Sequence, residues 1–123
     1  MVVGFSAAGL ALVIAATAAF AAGDAKAGQK TFGLCAACHS TQKYKNKAGP
    51  SLFGVVGRKA ASVPGYVYSP ALEEAGQAGV VWNETTLDRW LLDSKKVHHV
   101  VHVMRLPDAN VREYLITYLK TLK

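Results

Sequence analysis

Apolar positions recur at helical spacing in two segments of the second half of the chain. In the first segment, Leu87, Trp90 and Leu91 follow the i, i+3, i+4 rule of a single helix face. The second carries a longer stripe, made of Val111, Tyr114, Leu115, Tyr118, Leu119 and Leu122. Residues 83–87 and the Pro107-Asp108 pair are suitable helix starts. The pattern predicts one helix over about residues 83–96 and another from Pro107 onwards.

Two shorter helices are predicted upstream of these. Asp24 can cap a helix that places Gly28 and Phe32 one turn apart on the same face. Residues 70–78 can form a short helix with a proline near the first turn. Residues 40–61 are rich in Gly, Lys and Ser, which predicts loop with one short helical turn. The fold class is therefore all-α with long loops, and so much loop in a small domain implies a large bound cofactor that fills the core.

The amino-terminal segment differs in composition from the rest of the chain. Residues 1–21 contain no charged side chain and end in Ala19-Phe20-Ala21, a small-x-small cleavage pattern. This predicts a secretory signal peptide over 1–21 and a domain over 22–123. A basic segment before the apolar run is missing, and the run is close to the length that spans a bilayer, so a membrane anchor is the alternative.

All charged side chains of the chain lie in the predicted domain. The chain has 14 Lys and Arg against 8 Asp and Glu, a net charge of +6, and all of them follow Ala21. Such an excess favours negatively charged partners or membranes. Nucleic acid is disfavoured, because no run of five basic residues and no nucleic-acid motif is present. The two cysteines lie three positions apart, which is not the framework of a disulfide-stabilised protein.

Those cysteines belong to the most specific motif of the chain. Residues 35–39 read Cys-Ala-Ala-Cys-His, and the C-x-x-C-H spacing is an attachment signal for c-type haem. Two thiols on one helical turn can add to the two vinyl groups on one edge of a porphyrin, and His39 then reaches the iron. A thioredoxin-like pair would follow a strand, whereas this pair follows a predicted helix. A zinc site would need two histidines about 60 residues away, far from finger spacing.

From Gly23 to Lys123 the chain resembles the class I cytochromes c, most closely the bacterial cytochrome c2 or c-550 type. The matching pieces are GQKTFGLCAACH (28–39), GPSLFGVVGRKAASVPGYVYSPAL (49–72), VVWNETTLDRWLLD (80–93) and LPDANVREYLITYLKTLK (106–123). The resemblance implies the cytochrome c fold, a few helices wrapped around one covalent haem c. It also implies that Gly28 and Phe32 cross the last helix near Tyr118.

The resemblance assigns further residues to the haem. Cys35 and Cys38 are expected to hold it covalently, with His39 on the iron and the Pro50 carbonyl bonded to the His39 ring. A separate group matches the residues that surround a buried haem propionate: Arg58, Tyr68 and Trp82. Packing aromatics and a solvated arginine are the alternative interpretation of that group. Two positions that the resemblance places near the haem depart from relatives: Leu72 where many have Asn, and Trp90 where many have Tyr.

The segment expected to supply the second iron ligand departs from the family pattern. Residues 97–104 read VHHVVHVM, where relatives have Pro-Gly-Thr-Lys-Met and the Met binds the iron. Counting forward from Trp82 places the ligand at Val103 and counting back from Tyr118 places it at Val101, so the loop is about two residues shorter. Met104 is the expected ligand, His102 its main rival and His99 a weaker one. An iron without a second ligand is the remaining alternative.

The function expected from these features is a periplasmic one-electron carrier that is not an enzyme and is a monomer. Exposed lysines would form its docking face: Lys30, Lys43, Lys45, Lys47, Lys95 and Lys96. The expected partners are negatively charged redox proteins, such as a cytochrome bc1-type complex, a terminal oxidase, a photosynthetic reaction centre or a dehydrogenase. Two alternatives stay open: a peroxidase-like enzyme or gas sensor with an altered distal site, and a fixed haem subunit of a membrane respiratory complex.

Overall fold

The computed structural model describes residues 3–4, 9 and 15–123. Four helices follow one another in this part of the chain: α1 (Ala15–Phe32), α2 (Pro70–Gln77), α3 (Glu84–His98) and α4 (Ala109–Leu119). Among the same residues, extended pairing is limited to an isolated bridge between Lys59 and Val81. The predicted all-α class is confirmed. None of the helices described is long and apolar enough to span a membrane.

Side-chain caps explain why three of the helices begin where the sequence predicts. The Ser69 side chain accepts from the Leu72 amide at the start of α2. Asn83 accepts from the Thr86 amide, and the Thr86 hydroxyl accepts from the Asn83 amide, which forms a reciprocal capping box on α3. Asp108 caps α4. Each cap satisfies amides that have no partner inside the helix, so short polar residues fix these starts locally.

Helix α1 begins earlier than predicted. Asp24 was expected to cap it, but α1 already starts at Ala15, so Asp24 lies inside the helix. Residues 15–22 are mostly alanine, the strongest helix former, and they extend the helix backwards. Most of the predicted leader over residues 1–21 lies outside the described residues, and its role stays a prediction.

The main packing contact joins α1 to α4. Gly28 is buried at the crossing, where a Cβ would overlap the Tyr114 carbonyl and press on Tyr118. One turn further on, the rings of Phe32 and Tyr118 lie 5.5 Å apart. The predicted crossing near Tyr118 is confirmed. Glycine is required at position 28 because only a bare backbone lets the helices approach this closely.

The apolar core surrounds a cavity instead of filling the centre of the fold. Val55, Leu87, Leu91, Leu115 and Leu119 are all buried core residues, and all of them also line one large cavity. The loops between α1 and α2 and between α3 and α4 complete the wall of that cavity. The long loops therefore enclose space for a cofactor, as their length predicts.

Candidate cofactor site

The cavity has a volume of about 540 Å³, within the range of roughly 300–1,000 Å³ found for cofactor and small-molecule sites. Most of its wall is aliphatic or aromatic. Polar and sulfur-bearing side chains interrupt this lining, and besides Tyr66, Ser69 and Trp90 they are the ones that the sequence assigns to the haem: Cys35, Cys38, His39, Arg58, Tyr68, Trp82, His102 and Met104. The fold thus brings every predicted site residue except the weaker candidate His99 to one cavity.

The cysteine motif forms a single helical turn directly after α1. The Cys35 carbonyl accepts from the Cys38 amide at 3.1 Å and from the His39 amide at 2.9 Å. Both thiols are free, with Cys35 partly buried and Cys38 exposed. Burial raises the pKa of the Cys35 thiol, and the neighbouring Cys38 adds to the effect. The turn presents two thiols and one imidazole to the same cavity, as predicted.

The His39 ring is held from two sides. Its Nδ1 lies 2.7 Å from the Pro50 carbonyl, so Nδ1 carries the proton and donates. Gly49 packs against the ring so closely that a Cβ would overlap it. Burial lowers the pKa of His39, and the charges of His102, Arg58 and Lys47 act in the same direction, while the bond to Pro50 opposes them. The result is a neutral, fixed imidazole whose Nε2 can bind a metal.

Arg58 and Tyr68 form a polar corner of the cavity. Arg58 Nη1 donates to the carbonyls of Ser51 at 2.9 Å and Phe53 at 3.0 Å. Its Nε is buried and finds no acceptor among the described residues. The Tyr68 hydroxyl accepts from the Val63 amide at 3.1 Å, which leaves its own proton for another acceptor. Burial lowers the pKa of Arg58 and raises that of Tyr68. This corner suits a bound anion.

Along the loop after α3, mostly exposed residues alternate with half-buried ones. Val101 is 78% exposed and Val103 is 93% exposed. His102 and Met104 are half-buried and line the cavity. The two positions obtained by counting, 101 and 103, therefore carry mostly exposed side chains, although both also line the cavity, and their half-buried neighbours supply the candidate ligands. His99 is exposed and caps α3 in the left-handed conformation, away from the cavity lining.

No family model matches the chain, but individual proteins do. It is 38% identical to cytochrome c2 of Rhodopseudomonas palustris over 115 residues, with 81% of each chain covered. It is 39% identical to cytochrome c2 of Rhodospirillum rubrum over 134 residues, with 98% of each chain covered. The chain belongs to the class I c-type cytochromes. As a member of this family it is a haem-based electron carrier.

Solved structures agree with this assignment. Cytochrome c2 from Rhodospirillum centenum superposes on this cytochrome with a TM-score of 0.77 at 30% identity, covering 81% of this chain and 98% of that one. Ferricytochrome c2 from Rhodopseudomonas palustris gives a TM-score of 0.73 at 35% identity. The predicted cytochrome c fold is confirmed.

The side chains that line the cavity of this cytochrome have the chemistry that a haem c requires. A porphyrin needs an apolar slot, two thiols on one edge, an oriented imidazole and donors for its carboxylates. The cavity offers each of these, and the unsatisfied Arg58 Nε is the clearest sign of a missing anionic partner. Leu72 and Trp90 also line it, so both departures from the family pattern lie against the cofactor space.

Two residues that organise the site escaped the sequence interpretation. Ser94 is buried in α3 and contacts the following loop at two points. Gly49 confines the His39 ring. Gly49 precedes Pro50 in the matching GPSLFG segment, which was a usable signal. Ser94 gave none, because a serine in a helix is ordinary until its tertiary partner is known.

Proposed function

We propose that this cytochrome is a periplasmic one-electron carrier with one haem c, attached through Cys35 and Cys38 and ligated by His39. The observation that carries the proposal is the His39 ring, whose Nδ1 lies 2.7 Å from the Pro50 carbonyl at the wall of a cavity of about 540 Å³. A ring oriented in this way has one nitrogen left for a metal, and the two thiols stand on the same turn.

When bound, the haem supplies the Fe(II)/Fe(III) couple. The chain would supply a dry pocket, the His39 imidazole as an iron ligand and donors for the propionates. Arg58, Tyr68 and Trp82 are proposed to hold the buried propionate, because all three line the cavity and Arg58 Nε lacks an acceptor among the described residues. Trp82 is buried, so its indole contributes packing as well as a donor.

Docking is proposed to use a basic face. All six candidate lysines are exposed: Lys30, Lys43, Lys45, Lys47, Lys95 and Lys96. Lys47 donates from Nζ to the Ala36 carbonyl at 2.5 Å, which places one positive charge beside the cysteine motif. With a net charge of +6, the proposed partners are acidic redox proteins: a cytochrome bc1-type complex, a terminal oxidase, a reaction centre or a dehydrogenase.

Export is part of the proposal. Residues 1–21 are proposed as a signal peptide and 22–123 as the mature domain. In support, the cytochrome c2 structure from Rhodospirillum centenum is covered to 98% by only 81% of this chain. The remaining fifth matches the length of the proposed leader. Mass spectrometry of the protein from the periplasm tests this, and a chain that starts upstream of Ala21 would favour the anchor instead.

The experiment that tests the carrier combines haem analysis with kinetics. Denatured protein should retain haem on a gel, and the pyridine haemochrome spectrum should report one haem per chain with both vinyl groups saturated. The reduced protein should be oxidised reversibly by a one-electron acceptor and should bind CO slowly if at all. Loss of haem on denaturation would refute covalent attachment. Fast, stoichiometric CO binding would replace the carrier by the enzyme or gas-sensor alternative.

A further inference from the structure

The loop after α3 places a second imidazole opposite His39. We infer that Nε2 of His102 is the distal iron ligand, in place of the Met104 expected from the sequence, so that the haem is bis-histidine. This inference rests on the proposed function, because it presupposes a haem bound at His39. It replaces the Met ligand that the resemblance implies with a histidine, and thereby changes the class of redox potential.

The spacing of the two rings is the first observation. The ring centres of His39 and His102 lie 6.1 Å apart, at an interplanar angle of 43°. Imidazole nitrogens bind transition-metal ions at about 2.0–2.1 Å, so two imidazoles on opposite sides of one ion have ring centres on the order of 6 Å apart. The two rings therefore stand at the separation that a shared metal ion requires.

The orientation of the rings is the second observation. His39 Nδ1 lies 2.7 Å from the Pro50 carbonyl, and His102 Nδ1 lies 3.1 Å from the Met104 carbonyl. In both rings the carbonyl fixes the proton on Nδ1 and leaves the Nε2 lone pair for a metal. The backbone of Met104 thus serves as the partner of His102, in the way that Pro50 serves His39.

The loop that carries His102 is anchored to α3 by one side chain. Ser94, which is 3% exposed, accepts from the His102 amide at 3.0 Å and donates to the Val100 carbonyl at 2.7 Å. The Trp90 ring packs 5.5 Å from the His102 ring. The imidazole is therefore held by its backbone, its Nδ1 and its ring face before any metal binds, which favours ligation.

The other two histidines of the segment have different roles. The His98 ring lies 6.0 Å from the rings of both Trp82 and Trp90, outside the lining of the cavity. His99 is the exposed left-handed cap of α3. Met104 does line the cavity and is the competing ligand. Its replacement is therefore one arm of the test, and His98 provides the matched histidine control.

The expected result begins with the unmodified holoprotein. After the haem content has been measured, the ferric protein should be low-spin, with the near-infrared magnetic circular dichroism of two imidazole ligands and without an iron–sulfur charge-transfer band. Presence of that band overturns the inference. A protein without haem fails at the earlier haemochrome step, which is the failure of the proposed function. The two failures are therefore distinguishable.

Variants then assign the ligand to a residue. His102→Ala should convert the ferric haem to high spin, and added imidazole should restore the low-spin spectrum. Met104→Leu and His98→Ala should leave the spectrum unchanged. His102→Met should raise the midpoint potential, because a thioether favours Fe(II) more than an imidazole does. An unchanged low-spin spectrum in His102→Ala, or conversion to high spin in Met104→Leu, overturns the inference.

Discussion

Arg112 on α4 donates from Nε to the carboxylate of Asp88 on α3 over 2.7 Å. Nη1 of the same side chain donates to the carbonyls of Leu106 and Pro107, at 2.9 Å each. Arg112 is only 7% exposed. One buried guanidinium therefore joins two helices and the segment that leads from the loop after α3 into α4.

Removal of this guanidinium should destabilise the fold. We expect Arg112→Ala to lower the free energy of unfolding by about 3 kcal/mol, because it leaves two carbonyls and a carboxylate without their donor. The matched control is Arg105→Ala, which breaks a more exposed pair with Asp93 at 3.5 Å and should cost about 0–1 kcal/mol. Denaturant unfolding followed by circular dichroism measures both values. Equal losses of unfolding free energy in the two variants would contradict the stabilising role of Arg112.

Covalent attachment gives the second prediction. Cys35→Ala combined with Cys38→Ala should abolish covalent haem and remove most of the helical circular dichroism. The reason is that the core lines a cavity of about 540 Å³, which the loops cannot close alone. Ala36→Ser with Ala37→Ser, in the same exposed turn, should keep both properties. A double cysteine variant with full helix content would show that the fold does not depend on the cofactor.

The third prediction concerns docking. Lys95→Glu with Lys96→Glu should slow electron transfer to an acidic partner by roughly 10-fold or more at low ionic strength, and the difference should shrink as salt rises. Lys59→Glu with Lys123→Glu makes the same change in net charge outside the proposed face and should have a smaller effect. Stopped-flow rates over a salt series provide the measurement. Equal rates for the two double variants would mean that the net charge alone determines how fast the cytochrome meets its acidic partner.

The pKa of His98 gives a pH-dependent prediction. Burial lowers this pKa from its ordinary value of 6.5, and the neighbouring charge of His99 adds to the shift. Because the folded state disfavours the charged form, His98 contributes stability above pH 6.5. That contribution is lost as pH falls through the lowered folded pKa.

His98→Gln should therefore reduce the loss of unfolding free energy between about pH 7.5 and pH 5. His99→Asn is the control, since asparagine tolerates the left-handed conformation at φ 56°. This control should retain most of the pH dependence, because burial is the larger cause of the shift. Parallel pH profiles for His98→Gln and the unmodified protein would refute the prediction.

The fifth prediction concerns the polar corner of the cavity. Arg58→Leu should lower the midpoint potential of the haem, because a partly buried positive charge in the wall of the cavity favours Fe(II). Lys59→Leu removes a neighbouring but exposed charge, which water screens, and should shift the potential less. Spectroelectrochemical titration measures both. A larger shift in the Lys59 variant would place the important charge at the surface.

Local chemistry made much of this fold predictable. The caps at Ser69, Asn83 and Asp108 act on amides within three residues, so the starts of α2, α3 and α4 follow from short stretches of sequence. The cysteine motif likewise places its three functional groups on one turn. The start of α1 was mistaken because the alanines before Asp24 can continue a helix as readily as Asp24 can begin one.

Long-range partners could not be predicted in the same way. The pairing of Arg112 with Asp88 spans 24 positions, and the contact of Ser94 with His102 depends on how the loop folds back on α3. Counting placed the distal ligand at positions 101 and 103, one residue from the half-buried side chains of His102 and Met104. In an extended segment the side chains alternate between two faces, so an error of one residue selects a side chain on the opposite face.

The alternation of exposed valines with Met104 and His102 limits how the gene for this loop can evolve. Loss of the Val101 codon would shift this register, so that valine takes a half-buried position and imidazole a mostly exposed one. Loss of two codons would restore the original facing. Length changes that selection tolerates in this loop should therefore come in pairs.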